Sequence, residues 1–182
     1  VGSSAALPPE YQAEDQHDAH KQLVIPGLID CHTHLAFAGW RAEEFVERIK
    51  GKSYLEIARE GGGILSTMKL TREATKENLT ERALEFLSDI ATLGVTTVEC
   101  KSGYGLSVES ELKLLQVDAE LSKRQALTLV PTLLAAHSIP PEFRENRRGY
   151  LELMMKELIP QVAAASLAQF CGVLVEEGAF RG

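Results

Sequence analysis

Cysteine is scarce in this chain. Cys31, Cys100 and Cys171 are the three among 182 residues, an odd number, and each lies in or at the end of an apolar, strand-like run. That pattern argues against a disulfide framework and predicts reduced, packed thiols in a cytosolic, hence cytoplasmic, protein. Positive charge is also short: 19 Lys and Arg stand against 26 Asp and Glu, for a net charge of -7 and a pI near 5.3. Nucleic-acid binding needs clustered cations that release counterions, so no nucleic acid is expected as a partner. No run approaches the roughly 18 apolar residues that span a bilayer, so no membrane is expected either. The first residues lack the basic start and apolar stretch of a signal peptide. They also lack an initiating Met, which predicts that the chain begins partway through a longer protein.

What is present is ordinary for a soluble globular domain, with 45% hydrophobic and 25% charged residues and enough length for one sizeable core. Residues 1–22 are polar and small, with Pro8-Pro9 and a run of charge around His17. They read as a lead-in or the remnant of a preceding β domain, with His17 and His20 in solvent.

The organising stretch is 24–41, VIPGLIDCHTHLAFAGWR. It predicts an apolar strand over 23–29 whose carboxyl end delivers His32 and His34. Side chains two apart on a strand project to the same side, so these imidazoles can supply half of a metal site. Asp30 shares their parity and is expected to bond one imidazole from behind, whereas Cys31 has the opposite parity and is expected to pack. A loop with Trp40 and Arg41 follows.

Short helices are expected over 43–49 and 53–59, then a tight or flexible loop at Gly61-Gly62-Gly63-Ile64-Leu65-Ser66-Thr67 that lacks the ending of a phosphate loop. Apolar positions from Leu79 to Leu93 follow helical spacing up to the stop at Gly94. A second strand over 95–100 leads into Lys101-Ser102-Gly103-Tyr104-Gly105, and a helix over 108–124 has Ser107 as its cap. A third strand over 127–134 ends at Ala135-Ala136-His137. Beyond Pro140-Pro141, a helix over about 149–165 is bent or divided by Pro160. A fourth strand over 170–175 ends at Glu176-Glu177-Gly178.

Strands alternating with helices predict right-handed βαβ units and a parallel sheet. The fold class is therefore α/β: part of a TIM-like (β/α)8 barrel, about four βα units, over 23–182. A complete barrel needs eight strands and about 250 residues, with its site at the carboxyl ends of the strands. Those ends carry His32, His34, Tyr104, His137, Glu176 and Glu177, with Arg41 in the first loop. Such a set suits metal-assisted chemistry on a small, anionic molecule: a metal polarises a carbonyl and a guanidinium grips a carboxylate.

Pro26-Gly27-Leu28-Ile29-Asp30-x-His32-x-His34 resembles the first-strand signature of the amidohydrolase superfamily. In order, GGGILST at 61–67, VTTVECKSGYG at 95–105, Ala136-His137 before Pro140-Pro141, and Glu176-Glu177-Gly178 resemble the imidazolonepropionase family within it. The resemblance runs the length of the chain. It implies a metal-dependent hydrolase barrel behind a β-sandwich, of which 1–22 would be a remnant. It also implies hydrolysis of 4-imidazolone-5-propanoate to N-formimino-L-glutamate in histidine degradation, with one zinc or iron ion. By the same motifs His32 and His34 would be metal ligands, Arg41 would bind the substrate carboxylate, and Tyr104 and His137 would contact the ring. Glu176 and Glu177 acquire no catalytic role. Lys101 could suggest a carboxylated lysine bridging two metals, but in related binuclear enzymes that group lies on the fourth strand, where this chain has no lysine.

The family's further His ligand, acid/base Glu and ligand Asp come from later strands, so the catalytic acid/base is unknown here and the 182-residue chain alone is expected to be inactive. A homodimer of the complete protein stays open. Two other readings stand: another amidohydrolase, such as an aminohydrolase acting on a heterocycle, or a non-catalytic, truncated half-barrel.

Overall fold

The computed structural model describes residue 15, residues 17–175 and residue 180. Strands β1 (Leu28–Thr33), β2 (Val95–Lys101), β3 (Thr128–Ala136) and β4 (Phe170–Val173) form one sheet in sequence order, and every neighbouring pair is parallel. Between β1 and β2 run α1 (Ala42–Ile49), α2 (Tyr54–Arg59), α3 (Ile64–Glu73) and α4 (Lys76–Thr92). Helix α5 (Val108–Arg124) joins β2 to β3, and α6 (Arg147–Leu153) and α7 (Ile159–Ala164) lead to β4. The four-stranded, all-parallel half of an α/β barrel is therefore present. Residues 1–14, where most of the expected β remnant would lie, and Glu176 and Glu177 lie outside the described residues.

Local chemistry explains most boundaries. The Thr75 hydroxyl accepts from Asn78 N at 3.1 Å to start α4, and Ser107 accepts from Ser110 N at 3.3 Å to start α5. Gly94, at φ +81°, ends the α4 turn in a conformation that suits a residue without Cβ. Pro160 has no N–H to offer the carbonyl of Lys156, and the helix widens into a π turn over Met154–Leu158 around that gap.

Three expectations need correction. The first strand begins at Leu28, not Leu23, because pairing begins only where β2 is available: Leu28 N donates to Gly94 O at 2.9 Å, and Leu23 is 87% exposed. The triple-glycine segment is not a loop throughout, since Ile64 opens α3, and Gly63 at φ +70° turns the chain into it while its N–H donates to Glu44 Oε1 at 2.8 Å. The thiols are not alike: Cys100 on the inner strand β2 is buried, whereas Cys31 and Cys171 sit on the outermost strands and are exposed.

Helices cover one face of the sheet with two adjoining cores. Leu79, Ala83 and Leu87 of α4 meet Val98 and Cys100 of β2 and Leu114 and Leu121 of α5. Leu115 of α5, Leu133 and Ala135 of β3, and Tyr150, Met154 and Leu158 form the second. Alternation along the strands sends Thr97, Glu99 and Lys101 of β2 and Thr132 of β3 to the other face.

Asp118 of α5 lies in the first core at 2% exposed, and its Oδ1 has no hydrogen-bond partner. Burial pushes its carboxyl well above the usual range. Because the unfolded chain loses that proton near pH 3.9 and the folded chain holds it longer, this residue withdraws stability as pH rises above about 4, by up to about 1.4 kcal/mol per pH unit. Asp118→Asn is therefore expected to gain stability over the native protein at pH 7 and little at pH 4, measured by denaturant unfolding at both pH values.

Candidate functional site

Parallel pairing puts the carboxyl ends of β1, β2 and β3 side by side, and the segments leaving them carry the candidate side chains. The β1–β2 register is irregular between Asp30 and Thr33. His32 is consequently exposed near the strand end, and His34 lies just past it, half-buried, with 5.8 Å between the two ring centroids. Asp30 does not bond either imidazole: its Oδ1 accepts from the His32 backbone N–H at 3.3 Å.

His34 is the centre of the cluster. Its ring stacks on His137 at 4.8 Å and 12°, and lies 4.4 Å from Tyr104. Burial above all, then His137 and His32, lowers its pKa to about 3, so the imidazole stays neutral across ordinary pH. His34 Nδ1 is buried without a hydrogen-bond partner. A neutral imidazole with an uncommitted ring nitrogen, beside a second imidazole, is a donor set that a divalent ion accepts. Among the described residues no group of three or more His, Cys, Asp or Glu side chains converges, so the two histidines amount to part of a ligand set.

A cavity of about 450 Å³ opens beside this cluster, with His34, Phe37, Trp40, Arg41, Thr67 and Tyr104 on its walls. Arg41 is half-buried, with Nη1 3.8 Å from Glu44 Oε2, and most of its donors have no partner among the described residues. Burial raises the Tyr104 pKa, and Arg41 opposes that rise. His137 Nδ1 lies 3.0 Å from Gly103 O; a carbonyl only accepts, so Nδ1 carries the proton and Nε2 is the uncommitted nitrogen. His32, His34, Tyr104, His137 and Arg41 thus gather in one place. His17 and His20 remain exposed, apart from the cluster.

The structure adds residues that motif reading missed. Glu111 of α5 is completely buried, and its carboxylate accepts from Gly103 N at 2.9 Å, Gly105 N at 2.8 Å and Leu106 N at 2.7 Å. Arg72 of α3 donates to the carbonyls of Gly105 and Leu106 at 2.6 and 3.0 Å. Together they hold the loop that presents Tyr104, including Leu106 in the left-handed region at φ +53°. The available signal was an acid in the first turn of a helix directly after a glycine-rich loop. On the sheet's open face, the Glu99 carboxylate accepts from Lys101 Nζ and from Thr132 Oγ1, so Lys101 is an ion-pair partner. The Lys101 bond, followed by burial acting the other way, leaves the Glu99 carboxyl below its ordinary pKa.

No protein-family model matches the chain. Curated relatives do. It is 50% identical to an imidazolonepropionase of Symbiobacterium thermophilum over 90% of this chain and 39% of that protein. It is 48% identical to those of Fusobacterium nucleatum and Aeromonas hydrophila over 99% and 98% of this chain, and 44% and 45% of theirs. The chain is thus similar in sequence to imidazolonepropionases. It spans less than half the length of each of these imidazolonepropionases, and the similarity covers nearly all of its own residues, including every strand end described above.

Glu111→Gln keeps the size of the side chain but replaces one acceptor oxygen with a donor. At least one of the three buried N–H groups then loses its partner, at about 1–3 kcal/mol each. Urea unfolding should register that loss, and amide exchange at Gly103, Gly105 and Leu106 should accelerate relative to amides in α4.

Proposed function

We propose that this chain supplies the first four βα units, residues 23–182, of a metal-dependent hydrolase barrel that opens 4-imidazolone-5-propanoate to N-formimino-L-glutamate. Residues 1–22 belong, in this reading, to the end of a preceding β domain, and the enzyme works in the cytoplasm on histidine breakdown. The observation that carries the proposal is one cavity whose walls hold a guanidinium, a phenol and an imidazole, His34, that has two further imidazoles beside it. That arrangement suits a planar ring with a carboxylate tail.

Arg41 stands on the cavity wall with donors to spare, and a charge-assisted, two-pronged bond to the propanoate would fix the substrate's direction of entry. Tyr104 offers a phenolic O–H, kept protonated by burial, to a ring carbonyl or nitrogen. His137, with its Nδ1 proton held by Gly103, offers Nε2 as an acceptor for a ring N–H. The stack of His137 on His34 keeps both imidazole planes aligned, while burial first and His137 second keep His34 neutral. Lewis acidity and a more acidic water would come with one divalent ion, zinc or iron, held in part by His32 and His34. The acid/base carboxylate and the remaining ligands belong to later strands of a complete barrel.

Arg41 also separates this reading from that of a heterocycle aminohydrolase, because a neutral base has no use for a guanidinium in the cavity. The test is a chimera in which this segment replaces the matching stretch of a complete imidazolonepropionase. The chimera should open 4-imidazolone-5-propanoate and leave cytosine untouched. The reverse result would sink the proposal, and a metal-free, inactive but folded chimera would favour a non-catalytic half-barrel. Within an active chimera, His32→Ala and His34→Ala should each lose the metal and turnover together. Arg41→Met should raise KM by roughly 10- to 100-fold with a smaller change in kcat, the loss of a charged hydrogen bond of about 1.5–3 kcal/mol.

A further inference from the structure

Arg82 of α4 does not line the cavity and, among the described residues, makes no ion pair; Glu85 is a nearby charge that favours its cation, and one arm of its half-buried guanidinium is enclosed. Its Cζ sits 4.6 Å from the centroid of the Trp40 ring, 4.8 Å from that of Phe37 and 5.7 Å from that of Phe86. Its Nη2 is buried with no conventional acceptor. The ring faces are therefore what receives this charge and its N–H groups, an arrangement in which the quadrupoles of three aromatics replace lost water. The rings also brace one another: Phe37 and Trp40 meet edge to face at 5.6 Å, and Trp40 and Phe86 at 5.5 Å.

Two of those rings, Phe37 and Trp40, belong to the segment that leaves β1 and carries Arg41. The same segment is pinned from beneath at Ala38, whose N–H donates to Thr71 Oγ1 at 3.0 Å, and at Gly39, where a Cβ would stand 2.3 Å from Leu70 Cδ1. Those contacts hold its middle. The next residue, Arg41, is tied into α1 by the Phe45 N–H, which donates to its carbonyl at 3.2 Å. Among the described residues, however, the ring of Trp40, 69% exposed on the cavity wall, is held by the cation beside it and its aromatic neighbours.

We propose that Arg82 is a positioning residue: by holding Trp40 and Phe37 through their ring faces, it sets the cavity wall on which Arg41 stands, and so governs the affinity for a carboxylate-bearing ring. The second half of this inference rests on the reading of the cavity as a binding site; the first half does not. Trp40 is the chain's one tryptophan, so its emission reports on this wall without any ligand.

The experiment compares native protein, Arg82→Met and Arg82→Lys by Trp40 emission and acrylamide quenching, by thermal unfolding, and by titration with 3-(imidazol-4-yl)propanoate against plain imidazole. Arg82→Met keeps the apolar stem and removes the cation. It is expected to shift Trp40 emission and increase its quenching, and to weaken the propanoate's binding by roughly tenfold, a difference of about 1.4 kcal/mol. Imidazole binding and unfolding temperature should change little. Arg82→Lys, which keeps charge without the planar fork, should recover part of both effects and carries the test if Arg82→Met does not fold. Unchanged Trp40 emission and quenching in a folded Arg82→Met would overturn the proposal. So would propanoate affinity that falls only in step with stability. If Trp40 responds but the native protein binds no propanoate, the holding of Trp40 by Arg82 stands and the reading of the cavity falls.

Discussion

Hydrogen bonding between parallel neighbours sets where every side chain of the site stands. Each strand can reach its parallel partner only after a helical crossover, so all carboxyl ends come to one edge of the sheet. Val98 pairs with Asp30 on one side and with Leu129 on the other, and that register carries the residues after β1, β2 and β3 to a common level. The stack of His34 on His137 and the approach of Tyr104 are consequences of this alignment. The register is irregular near the end of β1, where His32 stands in the open and His34 inside.

A second layer of constraint lies behind the strand ends. The loop after β2 has glycines at 103 and 105 and a left-handed Leu106, a conformation that requires support from elsewhere. That support is a carboxylate on the following helix and a guanidinium from α3, so the position of Tyr104 depends on α3 and α5 as much as on β2. The loop after β1 is held in another way, by ring faces around a cation and by a close fit on α3. Each loop that lines the cavity is thus secured by a charged side chain that stays out of it.

The outermost strands show the other side of the same arrangement. Leu28 and Ile29 of β1 are 49% and 68% exposed, and Phe170 and Val173 of β4 are 60% and 56% exposed. In a sheet of this kind such positions are covered by a further strand or helix, and their exposure is why Cys31 and Cys171 differ from Cys100 although all three sit in similar sequence.

Strand and helix alternation, the cap at Ser107, the stop at Gly94 and the interruption near Pro160 were all legible from residue order, because each depends on neighbours within a turn or two. The likeness to imidazolonepropionases was legible from short motifs for the same reason, and those motifs singled out His32, His34, Arg41, Tyr104 and His137, which the fold brings together. Tertiary structure alone decided that Asp30 bonds backbone, that Ile64 begins a helix, that the thiols divide into buried and exposed, and that Glu111, Arg72 and Arg82 serve the loops. These depend on contacts between residues distant in sequence, such as Arg72 with Gly105 or Arg82 with Trp40, which exist only once the parallel register and the helix packing are in place.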